Sequence, residues 1–106
     1  MNIAILHCLR STRVCTGASC FKAYNNGTHA FAAYDEKPAL CAFFHCGGCD
    51  MDWEKDPGMI EKMQRLQSEN VQRIHVGICI GDKCVHRDKI FAMLEQYGME
   101  CVFGTH

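Results

Sequence analysis

The sequence lacks the features of a membrane-spanning or nucleic-acid-binding chain. A membrane helix requires about 20 mostly apolar residues, whereas the longest uninterrupted apolar run here covers only residues 39–44. Basic residues do not gather in runs, and 11 lysines and arginines stand against 12 acidic residues, for a net charge of −1. We therefore expect neither a membrane nor a nucleic acid as a partner.

The sequence also lacks internal repeats, low-complexity tracts and linkers. Its 106 residues leave little room for a second independent core, and a hydrophobic content of 48% is sufficient for one. We expect one folded domain over residues 1–106, which excludes intrinsic disorder.

No secretory signal peptide is visible at the N-terminus. Residues 1–7 include no Lys or Arg, and their apolar run before His7 is short. We therefore expect a cytoplasmic location, where structural disulfides are rare. Nine cysteines and six histidines in such a protein favour metal binding or redox chemistry.

The hydrophobic pattern predicts alternating strands and helices. Strands are predicted at residues 3–6, 40–44, 74–80 and 101–103, and helices at residues 56–69 and 86–97. This order is typical of right-handed βαβ units. The predicted fold class is α/β: a three-layer Rossmann-like or flavodoxin-like sandwich with a small, mainly parallel sheet of four or five strands.

The region between the first two strands is less regular. Residues 19–25 favour a helix, Asn26 and Gly27 favour a break, and residues 29–34 suit either a helix or an edge strand.

Cysteines fall where the predicted strands end. Cys8 follows the first strand, Cys46 and Cys49 follow the second, and Cys79 ends the third. The carboxyl ends of parallel strands form the ligand-binding edge of an α/β sheet, so we expect these thiols to converge there. The same edge should receive the remaining candidates, which are Cys15, Cys20, Cys84, His86 and His106.

The strongest local motif is the Cys-Gly-Gly-Cys sequence from Cys46 to Cys49. Its two glycines allow a tight turn, so that both sulfurs can reach one tetrahedral ion. The same spacing suits a dithiol–disulfide couple, although that motif normally opens a helix, and the next predicted helix start here is Asp56.

A second group of donors lies between Cys79 and His86. A predicted helix N-terminus follows Cys84, and its positive end should favour the thiolate form of that cysteine. The candidate cysteines are too many for one four-ligand zinc site. Either two metals or an iron–sulfur cluster is bound, or one metal site lies beside a free or redox-active set of thiols.

Other cysteines and histidines are better explained by packing. Cys41 and Cys101 lie in apolar strands, where cysteine behaves as a small buried hydrophobe. His7, His29 and His75 have no convincing ligand-spaced neighbours and are expected to be hydrogen-bonded structural histidines.

Several segments together resemble the CGGC domain, a small cysteine- and histidine-rich prokaryotic domain. These segments are residues 15–23, 43–49, 79–86 and 104–106. The resemblance spans nearly the whole chain. It implies a metal-binding protein with zinc as the expected ion and with no assigned reaction. It also supports His106 as a candidate metal ligand. Val85 stands where that pattern often has proline, and Met51-Asp52 where it often has proline and glycine, but neither departure removes a ligand.

The sequence therefore predicts a cytoplasmic Zn²⁺-binding domain whose partner is the metal ion and whose catalytic residues, if any, are unassigned. The alternatives are a thiol–disulfide oxidoreductase or an iron–sulfur carrier using the Cys46/Cys49 pair. The predicted metal ligands are Cys8, Cys15, Cys20, Cys46, Cys49, Cys79, Cys84, His86 and His106.

Overall fold

A four-stranded parallel sheet forms the centre of the computed structural model, which describes residues 1–106. The strands are β1 (Asn2–His7), β2 (Ala39–His45), β3 (Arg73–Val76) and β4 (Glu100–Phe103). They are arranged in the order β2-β1-β3-β4, and every neighbouring pair is parallel. The predicted α/β class is confirmed.

Four α-helices and two short 3₁₀ helices connect the strands. The α-helices are α1 (Ala18–Asn26), α2 (Pro57–Ser68), α3 (Ile78–Gly81) and α4 (Arg87–Gln96), and the 3₁₀ helices are Arg10–Arg13 and His29–Ala33. The ambiguous residues 29–34 thus form a 3₁₀ helix and no edge strand. None of these helices has the length and apolar character needed to cross a bilayer.

Local capping explains why the main helices begin and end where they do. The Asp56 carboxylate accepts a hydrogen bond from the Met59 amide at 3.0 Å, and Pro57 occupies the first helical position of α2. Gly27 and Gly98 follow α1 and α4 with φ angles of +63° and +84°, a left-handed conformation that favours glycine.

The strand order determines which face each helix covers. From β1 to β2 the chain moves toward one edge of the sheet, and from β2 to β3 and on to β4 it moves toward the other edge. Because the connections are right-handed, this reversal places α1 on one face of the sheet and α2 and α4 on the opposite face. One buried core lies under α2 and α4, and a smaller core lies under α1 and the 3₁₀ helix His29–Ala33. Neighbouring loops therefore diverge between the ends of β1 and β3, which opens a crevice there.

The third strand is shorter than predicted, and Cys79 lies beyond it. β3 ends at Val76, and the chain turns at Gly77 into α3, where Ile80 is fully buried. The alternation of apolar residues predicts a strand as far as residue 80, but one turn of helix can also bury an apolar residue. The prediction that Cys79 ends a strand is therefore wrong, although Cys79 still lies at the carboxyl edge.

The prediction that Cys41 is a core residue is also wrong. β1 pairs Ile3 with Leu40 but Ala4 with Ala42, so Cys41 is an extra residue in β2. The bulge leaves Cys41 without a partner on β1, and Cys41 is exposed. Cys101, in contrast, packs partly buried against the larger core, and burial raises the pKa of its thiol to about 11.

Candidate functional site

An open cleft of about 430 Å³ lies at the carboxyl edge of the sheet, beside the ends of β1 and β3. Its lining contains four cysteines from three separate connections, together with two basic side chains. The lining residues are Cys8, Arg10, Ser11, Cys49, Cys79, Lys83, Cys84, Val85 and His86. Thiols that are far apart in the sequence thus meet around one space.

The loop after β1 folds back over the Cys8 sulfur. Although burial, the largest single influence, acts to raise the pKa of Cys8, hydrogen bonds from the Ser11 amide and hydroxyl, the Arg10 amide and the Cys46 thiol lower it below the usual value. The 3₁₀ helix Arg10–Arg13 supplies most of these donors because the first amides of a helix have no acceptor within it. The Cys8 thiol is therefore more readily deprotonated than it would be without these donors.

Two consecutive backbone amides connect this loop to sulfurs from other parts of the chain. The Cys8 amide donates to Cys79 Sγ at 3.2 Å, and the Leu9 amide donates to Cys46 Sγ at 3.4 Å. The carboxyl end of β1 therefore contacts one sulfur from α3 and one from the turn after β2.

The thiol pKa values of Cys79 and Cys84 are shifted in the opposite direction from that of Cys8. Burial raises the pKa of both thiols, and the negative charge of neighbouring cysteines raises it further. The prediction that a helix N-terminus favours the Cys84 thiolate is wrong, because burial beside the start of α4 raises the pKa of this thiol. Hydrogen bonding to the His86 backbone lowers the pKa of Cys84 but does not outweigh burial.

The two cysteines of the CGGC motif have different surroundings. Cys46 is 8% exposed and belongs to the larger core, whereas Cys49 is exposed at the cleft mouth. Gly48 has a φ angle of +113° and allows the turn between them. His86 Nε2 lies 2.9 Å from the Cys49 carbonyl oxygen and donates to it, so this imidazole ties the motif to the start of α4.

The remaining predicted ligands form a second group near the N-terminus of α1. Cys15 is exposed and accepts a hydrogen bond from the Gly17 amide at 3.4 Å. Cys20 is buried, accepts a hydrogen bond from the Thr105 hydroxyl at 3.1 Å and lies 3.8 Å from His106 Nδ1. The predicted ligand set is thus divided: Cys15, Cys20 and His106 do not line the cleft.

The buried histidines differ from each other. His75 Nδ1 donates to the Gly104 carbonyl at 3.2 Å, and its Nε2 accepts from the Tyr34 hydroxyl at 2.6 Å, so the predicted structural role of His75 is confirmed. His7 does not fit the same prediction, because its Nε2 lies 3.2 Å from Cys15 Sγ while its buried Nδ1 has no partner. No residue spacing in the sequence indicates this contact between β1 and the segment before α1.

The donor chemistry of the cleft fits a thiophilic metal, but the side chains are not gathered around one point. No group of three or more His, Cys, Asp or Glu side chains is arranged to hold a metal ion. The four lining cysteines and the adjacent Cys46 are soft ligands of the kind that Zn²⁺ and iron–sulfur clusters use. Arg10 and Lys83 line the same space and can offset thiolate charge. Coordination would require rotation of cysteine side chains toward a shared position.

Sequence reasoning missed the part played by Ser11. Its hydroxyl and amide both hydrogen-bond Cys8, and a serine three residues after a strand-end cysteine was a signal available in the sequence.

The fold and this edge define a small α/β protein with a cysteine-lined cleft at the carboxyl end of a parallel sheet. The chain belongs to the CGGC domain family, whose model matches residues 2–106. It is similar to "Uncharacterized protein MJ0582" of Methanocaldococcus jannaschii, with 30% identity over 116 aligned positions that cover 100% of this chain and 87% of that protein. No solved structure matches the chain.

Proposed function

We propose that this protein binds a thiophilic metal ion, with zinc as the first choice, through cysteine thiolates of the cleft. The observation that carries the proposal is the meeting of Cys8, Cys49, Cys79 and Cys84 around one space, although they come from three connections of the chain. Membership of a family with a Cys-Gly-Gly-Cys motif is consistent with this function.

The hydrogen bonds indicate which thiols are best placed to act together. Cys79 and Cys46 contact consecutive amides of the β1 loop, and Cys8 belongs to that loop itself. We propose Cys8, Cys79 and Cys84 of the cleft lining as ligands, with the adjacent Cys46 as the fourth, and Cys49 and His86 at the open side. A zinc ion held by these four thiolates would cross-link the loops as a closed structural site.

The charge of such a site is partly offset by the protein. Four thiolates around Zn²⁺ give a net charge of −2, and Arg10 and Lys83 line the same cleft. Deprotonation of Cys79 and Cys84 works against their raised pKa values, so metal binding should release protons and weaken as the pH falls.

Elemental analysis after expression in metal-replete medium tests the proposal. We expect about one zinc per chain and a large loss of zinc in Cys79→Ser. Cys41→Ser is the matched control, because Cys41 is exposed on a bulge of the edge strand and should leave the metal content unchanged. Metal-free wild-type protein, or equal zinc in both variants, would contradict the proposal. Iron with visible absorption in an anaerobic preparation would instead support the iron–sulfur alternative.

A further inference from the structure

The strand register places Cys8 and Cys46 side by side. His7 and His45 are the last paired residues of β1 and β2, and each of these cysteines is the residue that follows its strand. Neighbouring strands are about 4.8 Å apart, and the Cα atoms of a disulfide are usually roughly 4.4–6.8 Å apart. The strand ends that carry these two cysteines are therefore spaced within the range of a disulfide.

Both side chains also lie on the same face of the sheet. Alternate β1 residues Ala4 and Leu6 belong to the larger core, and Cys8 continues this alternation by packing against that core. Cys46 is a buried member of the same core. The Leu9 amide holds Cys46 Sγ next to the β1 loop, and the nearby Cys46 thiol lowers the pKa of Cys8.

The alternative partner of Cys46 within its own motif is less well placed. Cys49 is exposed, and its backbone carbonyl is bound by His86 at the start of α4. The Cys46 sulfur instead accepts a hydrogen bond from the Leu9 amide, in the loop that follows β1. The contacts of Cys46 therefore favour a partner on β1 over the one three residues away in the sequence.

We propose that Cys8 and Cys46 form a reversible disulfide when the protein encounters a peroxide. The Cys8 sulfur attacks one oxygen of hydrogen peroxide, the O–O bond breaks, and one water leaves while Cys8 becomes a sulfenic acid. The Cys46 sulfur then attacks the Cys8 sulfur, the S–S bond forms as the S–O bond breaks, and the Cys46 proton leaves with the hydroxide as a second water. The two thiols lose two electrons and the peroxide gains them, and a dithiol reductant reverses the change by exchange.

This disulfide does not depend on the metal proposal, but it uses two of the same sulfurs. An oxidised Cys8–Cys46 pair cannot supply two thiolate ligands, so the disulfide and a metal bound through both cysteines exclude each other. The two proposals have separate measurements, since peptide linkage reports the disulfide and elemental content reports the metal. Either can therefore fail alone.

Tryptic mapping distinguishes the possible pairs unusually well. Trypsin releases Cys8 as the only cysteine of peptide 1–10, whereas Cys41, Cys46 and Cys49 stay together in peptide 23–55. A Cys8–Cys46 disulfide joins these two peptides, while a Cys46–Cys49 disulfide leaves peptide 23–55 unlinked and lighter by two hydrogens.

The experiment treats the reduced full-length chain with hydrogen peroxide, blocks the remaining thiols, digests the protein and measures peptide masses. We expect peptide 1–10 to become linked to peptide 23–55 and to be released by dithiothreitol. Wild-type protein whose peptide 1–10 stays unlinked, or links to peptide 14–22 or 74–83, would overturn the proposal.

Single variants identify the second sulfur within peptide 23–55. Cys49→Ser and Cys41→Ser should form the link at the wild-type yield, and Cys46→Ser should abolish it. Loss of the link in Cys49→Ser or Cys41→Ser, with retention in Cys46→Ser, would overturn the assignment. The wild-type result alone tests the pairing with peptide 1–10, so the proposal stays testable even if the Cys46 variant folds poorly.

Discussion

At the scale of single residues, the cysteines differ in exposure and in thiol pKa, and these differences come from the surroundings of each side chain. Cys8 has a lowered pKa because amide and hydroxyl donors converge on it, whereas burial raises the pKa of Cys79, Cys84 and Cys101. Cys41 is exposed on a bulge. The sequence predicted which cysteines lie near the carboxyl edge, but not these differences, because they depend on backbone donors from neighbouring loops.

Ser11→Ala should raise the pKa of Cys8, because the substitution removes the hydroxyl that hydrogen-bonds the sulfur while the backbone donors remain. The measurement is the pH dependence of iodoacetamide alkylation of Cys8, followed on peptide 1–10. Its midpoint should move to higher pH. Ser68→Ala is the control, since the Ser68 hydroxyl bonds only within α2, and an identical midpoint in both variants would show that the Ser11 hydroxyl is not a donor to Cys8.

Tyr34→Phe should destabilise the fold by about 1–3 kcal/mol, because it leaves the buried His75 Nε2 without its hydrogen-bond donor. Urea unfolding measures the change. Tyr97→Phe is the matched control, since the Gln67 side chain contacts the carbonyl oxygen of Tyr97 and not its hydroxyl. Equal stability of the two variants would mean that the Tyr34–His75 hydrogen bond contributes little.

Stability should fall as the pH drops from about 7 to about 5, in the range where histidine titrates in unfolded chains. Burial lowers the pKa of His75, and burial together with the nearby His45 lowers that of His7. The folded protein then binds fewer protons than the unfolded chain, so stability is complete above the unfolded pKa and is lost below it. Urea midpoints measured across this range check the sign, and a midpoint that rises on acidification would contradict it.

At the scale of secondary-structure elements, the structure supports most of the sequence prediction where a local signal was present. The Asp56-Pro57 start of α2 and the glycine stop after α4 are both confirmed. The errors arose where tertiary pairing decides the outcome: β3 ends at Val76, and a bulge in β2 leaves Cys41 unpaired and exposed. A hydrophobic pattern shows neither event, because it does not reveal which residues find partners on the next strand.

Asp56→Ala should destabilise the protein by about 1 kcal/mol, because α2 loses the carboxylate that accepts from the Met59 amide. Thermal or urea unfolding measures this loss. The exposed Asp35 lies outside the α-helices, so Asp35→Ala serves as a charge-matched control that should change stability little. A variant at Asp56 as stable as the control would show that the cap is dispensable.

At the scale of the whole molecule, topology brings four thiols around one cleft and leaves Cys15 and Cys20 outside its lining. The chain reverses its direction across the sheet after β2, so α1, which precedes β2, lies on one face and α2 and α4 lie on the other. Cys8, Cys79 and Cys84 consequently line one cleft, while Cys15 and Cys20 lie with the α1 segment. The parallel sheet and its thiol-bearing edge followed from the sequence, but the division into two groups required knowledge of the strand order.

X-ray absorption at the zinc edge of the zinc-loaded protein tests the central claim most directly, because it identifies the atoms bound to the metal. The cleft predicts a first shell dominated by sulfur at about 2.3 Å. A shell of nitrogen and oxygen alone at about 2.0–2.2 Å, or a protein that retains no zinc after desalting, would contradict it.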